Sequence, residues 1–90
     1  RTTANAFGLS VTPNPVSESA FVSLMMEQPS KVVVTLQDIT GKTVMVLANG
    51  QLPQGLNELT LDASTLKSGI YILSVEDSRN NKSYQKVIVR

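Results

Sequence analysis

At 90 residues, with 41% hydrophobic residues, 17% charged residues and a net charge of +1, the chain has the composition of one small folded domain rather than a disordered tail. The absence of cysteine and histidine excludes the usual zinc, haem and iron–sulfur ligand sets, and it excludes thiol and serine–histidine catalysis. The near-neutral charge and the scarcity of aromatic residues (two Phe, two Tyr) argue against nucleic-acid binding, and the longest apolar run, Val44–Ala48, is too short to span a bilayer.

The first segment of the chain, Arg1–Gly8, is small, polar and without periodicity, and we interpret it as a linker. The chain begins with Arg rather than Met, so we expect it to be part of a longer protein. The folded domain is predicted at residues 9–90.

From residue 9 onward, apolar and polar residues alternate with a period of two, which is typical of half-buried β-strands. Turn-forming residues such as Pro, Gly and Asn separate the alternating runs, including a pair at Asn49-Gly50. The predicted strands are Leu9–Thr12, Ser19–Met26, Lys31–Asp38, Thr43–Leu47, Glu58–Leu61, Ile70–Glu76 and Ser83–Val89. Seven short strands at this spacing predict an all-β, antiparallel β-sandwich. No segment favours a helix, although Ser64–Lys67 could form one turn across an end of the sandwich.

The tripeptide Gly41-Lys42-Thr43 looks like the end of a phosphate-binding loop, but Leu36 stands where the first glycine of that loop is required. We interpret this segment as a turn between two strands. In such a turn Asp38 would accept backbone N–H bonds, and Gly41 would adopt a positive φ.

The acidic residues could in principle supply an acid–base pair, but nearly all fall at strand ends or on the polar side of the alternation. They are Glu18, Glu27, Asp38, Glu58, Asp62, Glu76 and Asp77. Without histidine or an evident cleft, the sequence does not predict an enzyme, and it predicts no catalytic, metal-binding or cofactor-binding residue.

A corner is predicted at Ser68-Gly69-Ile70-Tyr71, where the glycine permits a tight bend just before a strand. The hydroxyl of Tyr71 could reach back to a backbone carbonyl, as in the tyrosine corner of immunoglobulin-like sandwiches. We expect Gly69 and Tyr71 to serve the fold first and recognition second.

The C-terminal segment concentrates positive charge, since four of the eight basic residues follow Asp77 and no acidic residue does. In the last strand, Val87 and Val89 share one face, and Lys86, Ile88 and Arg90 share the other. One interpretation is protection of an edge strand, because lysines discourage pairing between molecules. The other is a basic docking strip at the C-terminus.

Five motifs in this order resemble the C-terminal sorting domain of the type IX secretion system, in its commoner subclass, type A. The motifs are Pro13-Asn14-Pro15, Asp38-x-x-Gly41-Lys42, Leu52-x-x-Gly55-x-Asn57, Leu66-x-Ser68-Gly69-Ile70-Tyr71 and Lys86-Val87-Ile88-Val89-Arg90. The resemblance extends from about Leu9 to Arg90.

The resemblance implies a seven-stranded immunoglobulin-like sandwich that follows a larger N-terminal cargo in the same precursor. It implies transit through the periplasm of a Gram-negative bacterium, recognition by outer-membrane translocon components, and delivery to the cell surface or medium. A sortase-like peptidase would then remove the domain. We assign recognition to Lys86–Arg90 and processing to the segment Ala4, Asn5, Ala6, Phe7 and Gly8, whereas the other motif residues are interpreted as mainly structural.

Two other functions remain open from the residues alone: a passive structural or adhesive immunoglobulin-like sandwich appended to a secreted enzyme, and an independent enzyme. The missing chemistry argues against the enzyme, and a carbohydrate-binding platform would normally expose more aromatic residues than this chain contains. Dimerisation through an exposed edge strand is permitted but not required. No nucleic acid and no membrane span are expected.

Overall fold

Residues 7–90, the part of the chain that this computed structural model describes, form seven strands and no helix. The strands are β1 (Ser10–Thr12), β2 (Ser19–Met26), β3 (Ser30–Asp38), β4 (Thr43–Leu52), β5 (Gly55–Asp62), β6 (Gly69–Asp77) and β7 (Lys82–Val89). The predicted all-β class is therefore confirmed. The segment Ser64–Lys67 is a reverse turn, in which the N–H of Leu66 donates to the carbonyl of Ala63 at 3.0 Å.

The strands form two antiparallel sheets that pack as a sandwich. One sheet has three strands in the order β1-β2-β5, and the other has four in the order β4-β3-β6-β7. The alternation in the sequence explains this packing, because every second side chain of a strand points to the same face. In β3, for example, Val32, Val34 and Leu36 are buried, whereas the residues between them face outward.

The fourth strand is longer than predicted, and the predicted turn at Asn49-Gly50 is wrong. Asn49 pairs with Val33 and Gly50 with Val32, so the strand continues to Leu52. The long partner strand β3 offers backbone hydrogen bonds as far as Ser30, and this pairing overrides the local turn preference of an Asn-Gly pair. The real turn lies at Pro53-Gln54, and β5 consequently starts three residues earlier than predicted.

The hydrophobic core reaches into the predicted linker. Phe7, which we assigned to the linker, is only 6% exposed and belongs to the hydrophobic core. The N–H of Met25 donates to the carbonyl of Phe7 at 2.6 Å, which attaches this residue to the end of β2. The buried series Phe7, Leu9 and Val11 has the period of two that should have indicated its inclusion. Gly8, the last residue of the predicted linker, is exposed, and residues 1–6 lie outside the described residues.

Phe7 and Arg90 lie at opposite ends of the sandwich. Phe7 contacts the end of β2, which a short loop joins to the start of β3, and Val32 near that start pairs with Asp77 at the end of β6. The last residue of β7, Val89, pairs instead with Gly69 at the start of β6. An attached N-terminal segment therefore enters the domain at the end far from the C-terminal residue.

Candidate functional site

The C-terminal strand β7 presents two different faces, as predicted. Val87 and Val89 are buried in the core, whereas Lys86, Ile88 and Arg90 face solvent. The strand forms one edge of the four-stranded sheet, which is where a strand can meet a partner or must be protected from one.

The basic side chains near the end of β7 have no acidic partner. Within residues 7–90, no carboxylate lies within ion-pairing distance of Lys86 or Arg90. The ion pair found in this part of the chain joins Lys82 to Glu76 at 3.9 Å, with both side chains about half exposed. Such an exposed pair contributes little to stability. The two positive charges closest to the C-terminus are thus available to an outside group.

The motif Pro13-Asn14-Pro15 contacts this same strand. The side-chain amide of Asn14 donates to the carbonyl of Lys86 at 2.9 Å, and its oxygen accepts the N–H of Ile88 at 3.1 Å. Because one partner is an acceptor and the other a donor, the orientation of the amide is determined. The peptide bonds before Pro13 and Pro15 are both cis.

The next residue, Val16, extends this contact through its backbone. Its N–H donates to the carbonyl of Ile88 at 2.7 Å, and its carbonyl accepts the N–H of Arg90 at 2.8 Å. Val16 and Val89 form a parallel bridge, and the side chain of Val16 is fully buried. We call the segment from Pro13 to Val16 the strap. It holds β7 in place beside the first strand of the other sheet.

The contact between the strap and the C-terminal strand was not predicted, although the Pro13-Asn14-Pro15 motif was recognised in the sequence. Val16 was assigned no role, because a single valine between Pro15 and Ser17 shows no alternation. A valine directly after a Pro-Asn-Pro turn is nevertheless a sequence signal. An apolar side chain at that position is stabilised by packing into the core, as the side chain of Val16 does here.

The predicted turn at Asp38 is confirmed. Its carboxylate accepts the N–H of Thr40 at 2.9 Å, the hydroxyl of Thr40 at 2.6 Å and the N–H of Lys42 at 3.1 Å. Gly41 adopts a φ of 90°, where a side chain would be strained although nothing obstructs it sterically. The hydrogen bond from the Thr40 hydroxyl is the main reason why the pKa of Asp38 lies below its usual value of 3.8.

The turn between β6 and β7 repeats this arrangement without a glycine. Asp77 accepts the N–H groups of Arg79 and Asn81, both at 2.9 Å, and Asn80 takes the positive φ, 66°, that Gly41 has in the first turn. Asn80-Asn81 is a turn-forming pair in the sequence, but its likeness to the first turn is hidden because asparagine replaces glycine, although asparagine also tolerates this conformation. Partial burial acts to raise the pKa of Asp77, but the hydrogen bonds from Asn81 and Arg79 outweigh it and lower the pKa overall.

The remaining motif residues shape corners. The hydroxyl of Tyr71 donates to the carbonyl of Lys67 at 2.7 Å, which confirms the predicted tyrosine corner. Gly69 begins β6, directly opposite Val89. Asn57 closes the turn between β4 and β5 by donating to the carbonyls of Pro53 at 2.9 Å and Gly55 at 3.3 Å. These contacts fix how the strands are joined and aligned.

Two residues of the predicted processing segment, Phe7 and Gly8, lie at the other end of the molecule. Phe7 lines a cleft of about 260 Å³ together with the last residues of β2 and the turn between β6 and β7. At this cleft the side chain of Arg79 donates to the side chain of Gln28 at 2.7 Å. Gly8 is exposed beside it. The other predicted processing residues, Ala4, Asn5 and Ala6, lie outside the described residues.

Neither a metal centre nor a spanning helix is found in residues 7–90. No three acidic side chains in this range lie close enough together to hold a metal ion. No helix in the same range has the length and apolar character needed to cross a membrane.

The chain is similar to known proteins over its whole described fold. A family model described as a secretion system C-terminal sorting domain matches residues 10–90, from the first residue of β1 to the C-terminal arginine. The chain is also 33% identical over 81 residues to an endo-acting ulvan lyase from Formosa agariphila. That alignment covers 89% of this chain but 14% of the lyase, so the chain spans a small part of that relative.

Proposed function

We propose an export function from the family to which the chain belongs, the C-terminal sorting domains of the type IX secretion system. The domain directs an attached cargo through the periplasm and across the outer membrane. The translocon recognises the outward face of β7. Domains of this family act as sorting signals rather than as catalysts, and they direct export to the cell surface or the extracellular space. The second part of this proposal, recognition by the translocon, concerns the C-terminal strand β7.

One observation supports the assignment of translocon recognition to β7. Lys86 and Arg90 are exposed, without an ion-pairing carboxylate in residues 7–90, on a strand whose backbone the strap holds in a defined position. A backbone that is already held in position loses little conformational entropy on binding, so the cost that remains is that of ordering the two exposed side chains. Edge protection alone would require the charges but not the rigid backbone beneath them.

The cargo is proposed to be considerably larger than the domain, since the matching segment makes up 14% of the ulvan lyase. We further propose that a sortase-like peptidase separates the two on the N-terminal side of Phe7. The burial of Phe7 and the hydrogen bond to its carbonyl support this boundary, because a peptidase needs an extended and accessible chain.

An adhesive, carbohydrate-binding role receives no support from the aromatic residues. Phe21 and Tyr84 are exposed, but they lie on strands of different sheets and so do not share a binding platform. Phe7 and Tyr71 are buried.

The proposal is tested by fusing residues 1–90 behind a periplasmically targeted reporter in a host with a type IX system. We expect the reporter to reach the cell surface or medium. A matched fusion that carries Lys86→Gln/Arg90→Gln keeps the buried valines of β7 and should remain largely in the periplasm. A full-length fusion that stays in the periplasm, while the host exports its own cargo, would show that these 90 residues do not carry the signal.

A further inference from the structure

The outer face of the four-stranded sheet carries an apolar pair beside the C-terminal residues. Ile70 and Ile88 lie directly opposite each other in the register of β6 and β7, and they are 46% and 36% exposed. The backbone groups of Ile88 bond to the strap, so Ile70 and Ile88 form a non-hydrogen-bonded pair. Side chains approach each other most closely in such pairs. The pair therefore forms one continuous apolar surface across two strands.

Positive charge borders this apolar pair. Lys86 lies opposite Ile72, the next outward-facing residue of β6, and Arg90 follows at the end of the chain. The acidic residue on this face of β6, Glu76, pairs with Lys82 at the far end of the strands. The face consequently combines an apolar centre with two cations that have no partner in residues 7–90.

The backbone edge of β7 is closed to a partner at the same place. The carbonyl of Lys86, both backbone groups of Ile88 and the N–H of Arg90 all bond to Asn14 or Val16. A partner strand cannot extend the sheet there without displacing the strap. Recognition at this end must therefore use the side chains on the face of the sheet.

We propose that Ile70 and Ile88, with Lys86 and Arg90, form one two-stranded docking face for a partner protein that presents an apolar surface next to carboxylates. The inference rests on the proposed export function and adds Ile70, a residue of β6, to the recognised site. In its motif, Tyr71 points into the core and Ile70 points to the partner. An anionic lipid surface fits less well, because two basic residues strengthen attachment to such a surface by only about thirtyfold.

The test compares the export of two variants of the reporter fusion, Ile70→Thr and Val46→Thr. Ile70→Thr shrinks the apolar surface but keeps a β-branched side chain, and we expect about tenfold less exported reporter from a domain that still melts cooperatively well above the assay temperature. Val46→Thr is the matched control, since Val46 is 56% exposed on the same sheet but lies on the distant edge strand β4. This control should be exported normally.

A charge reversal tests the carboxylates of the partner. Lys86→Glu should be exported less than Lys86→Gln, because a carboxylate at this position would repel those of the partner. Normal export of Ile70→Thr beside an exported parent fusion would overturn the docking face and leave the sorting function standing. If the parent fusion is itself retained in the periplasm, the sorting function fails and the docking face fails with it. Binding of the domain to phosphatidylglycerol vesicles that is lost in Lys86→Gln/Arg90→Gln would also overturn the inference, by assigning the face to a lipid surface.

Discussion

The side-chain oxygen of Asn14 accepts the backbone N–H of Ile88 at 3.1 Å, across 74 residues of sequence. The same amide donates to the carbonyl of Lys86, so one side chain binds both neighbours of Val87 along the edge of β7. This contact joins the first family motif to the last one. It explains why a Pro-Asn-Pro turn near the N-terminus accompanies a basic, apolar C-terminal strand in one domain.

We expect Asn14→Ala to destabilise the domain by about 1–2 kcal/mol, since it removes two exposed hydrogen bonds. For a domain of this size that corresponds to a decrease in melting temperature of about 4–8 °C per kcal/mol. Asn49→Ala is a suitable control, because Asn49 is exposed and its side chain has no hydrogen bond within residues 7–90. Amide hydrogen exchange at Ile88 and Arg90 should accelerate in Asn14→Ala, and unchanged exchange at both amides would contradict this account of the strap.

The two aspartate turns should respond alike to a side chain at the positive-φ position. Gly41→Ala and Asn80→Ala should each lower the free energy of unfolding by about 1 kcal/mol, because alanine is strained in this conformation. Asn80→Gly, in contrast, should stay within about 0.5 kcal/mol of the parent. Denaturant titrations measure all three. A loss in Gly41→Ala with none in Asn80→Ala would show that the second turn is not equivalent to the first.

Stability should depend on pH through the aspartates that accept hydrogen bonds in turns. The pKa values of Asp38, Asp62 and Asp77 are lowered in the folded state from their usual value of 3.8, so the folded domain binds protons less readily than the unfolded chain. Their stabilising contribution is fully present above about pH 5 and is lost as the pH falls through the lowered values. We therefore expect the free energy of unfolding to decrease below about pH 4.

Urea titrations at several pH values distinguish these aspartates from other acidic groups. Asp38→Asn/Asp77→Asn should reduce the loss of stability in acid. Glu58→Gln is the control for removing an exposed carboxylate that accepts no hydrogen bond within residues 7–90. A double variant that loses as much stability in acid as the parent would exclude these two turns as its cause.

Processing, if it follows the proposed boundary, leaves Phe7 on the sorting domain. Cutting after Phe7 would require the peptidase to pull its side chain from the core and break the hydrogen bond from Met25. We expect N-terminal sequencing of the released domain to give a first residue at or before Phe7. A released domain that starts at Gly8 or later would contradict the boundary.

Much of the fold could be predicted from the period of two, because burial of every second residue determines which face of a strand packs in the core. The bounds of β2 and the inward positions of Val87 and Val89 were predicted correctly for this reason. Long-range pairing could not be predicted in the same way. Asn49-Gly50 has the local preference of a turn but is paired along β3, and the contact of Asn14 with β7 depends on how the two sheets meet. The positions of the candidate site's side chains were thus predictable, whereas the strap that holds them was not.

The most direct test of the account is the export of Lys86→Gln/Arg90→Gln, measured as the ratio of surface to periplasmic reporter. Lys31→Gln/Lys82→Gln removes the same amount of charge from the far end of the same sheet, and both variants should keep the parent's stability to within about 0.5 kcal/mol. We expect the first variant to be exported at least about tenfold less than the parent, through loss of charge-assisted contacts, and the second to be exported normally. Equal export of the two variants and the parent would show that the charges of β7 only protect an edge strand, and that the translocon reads another surface.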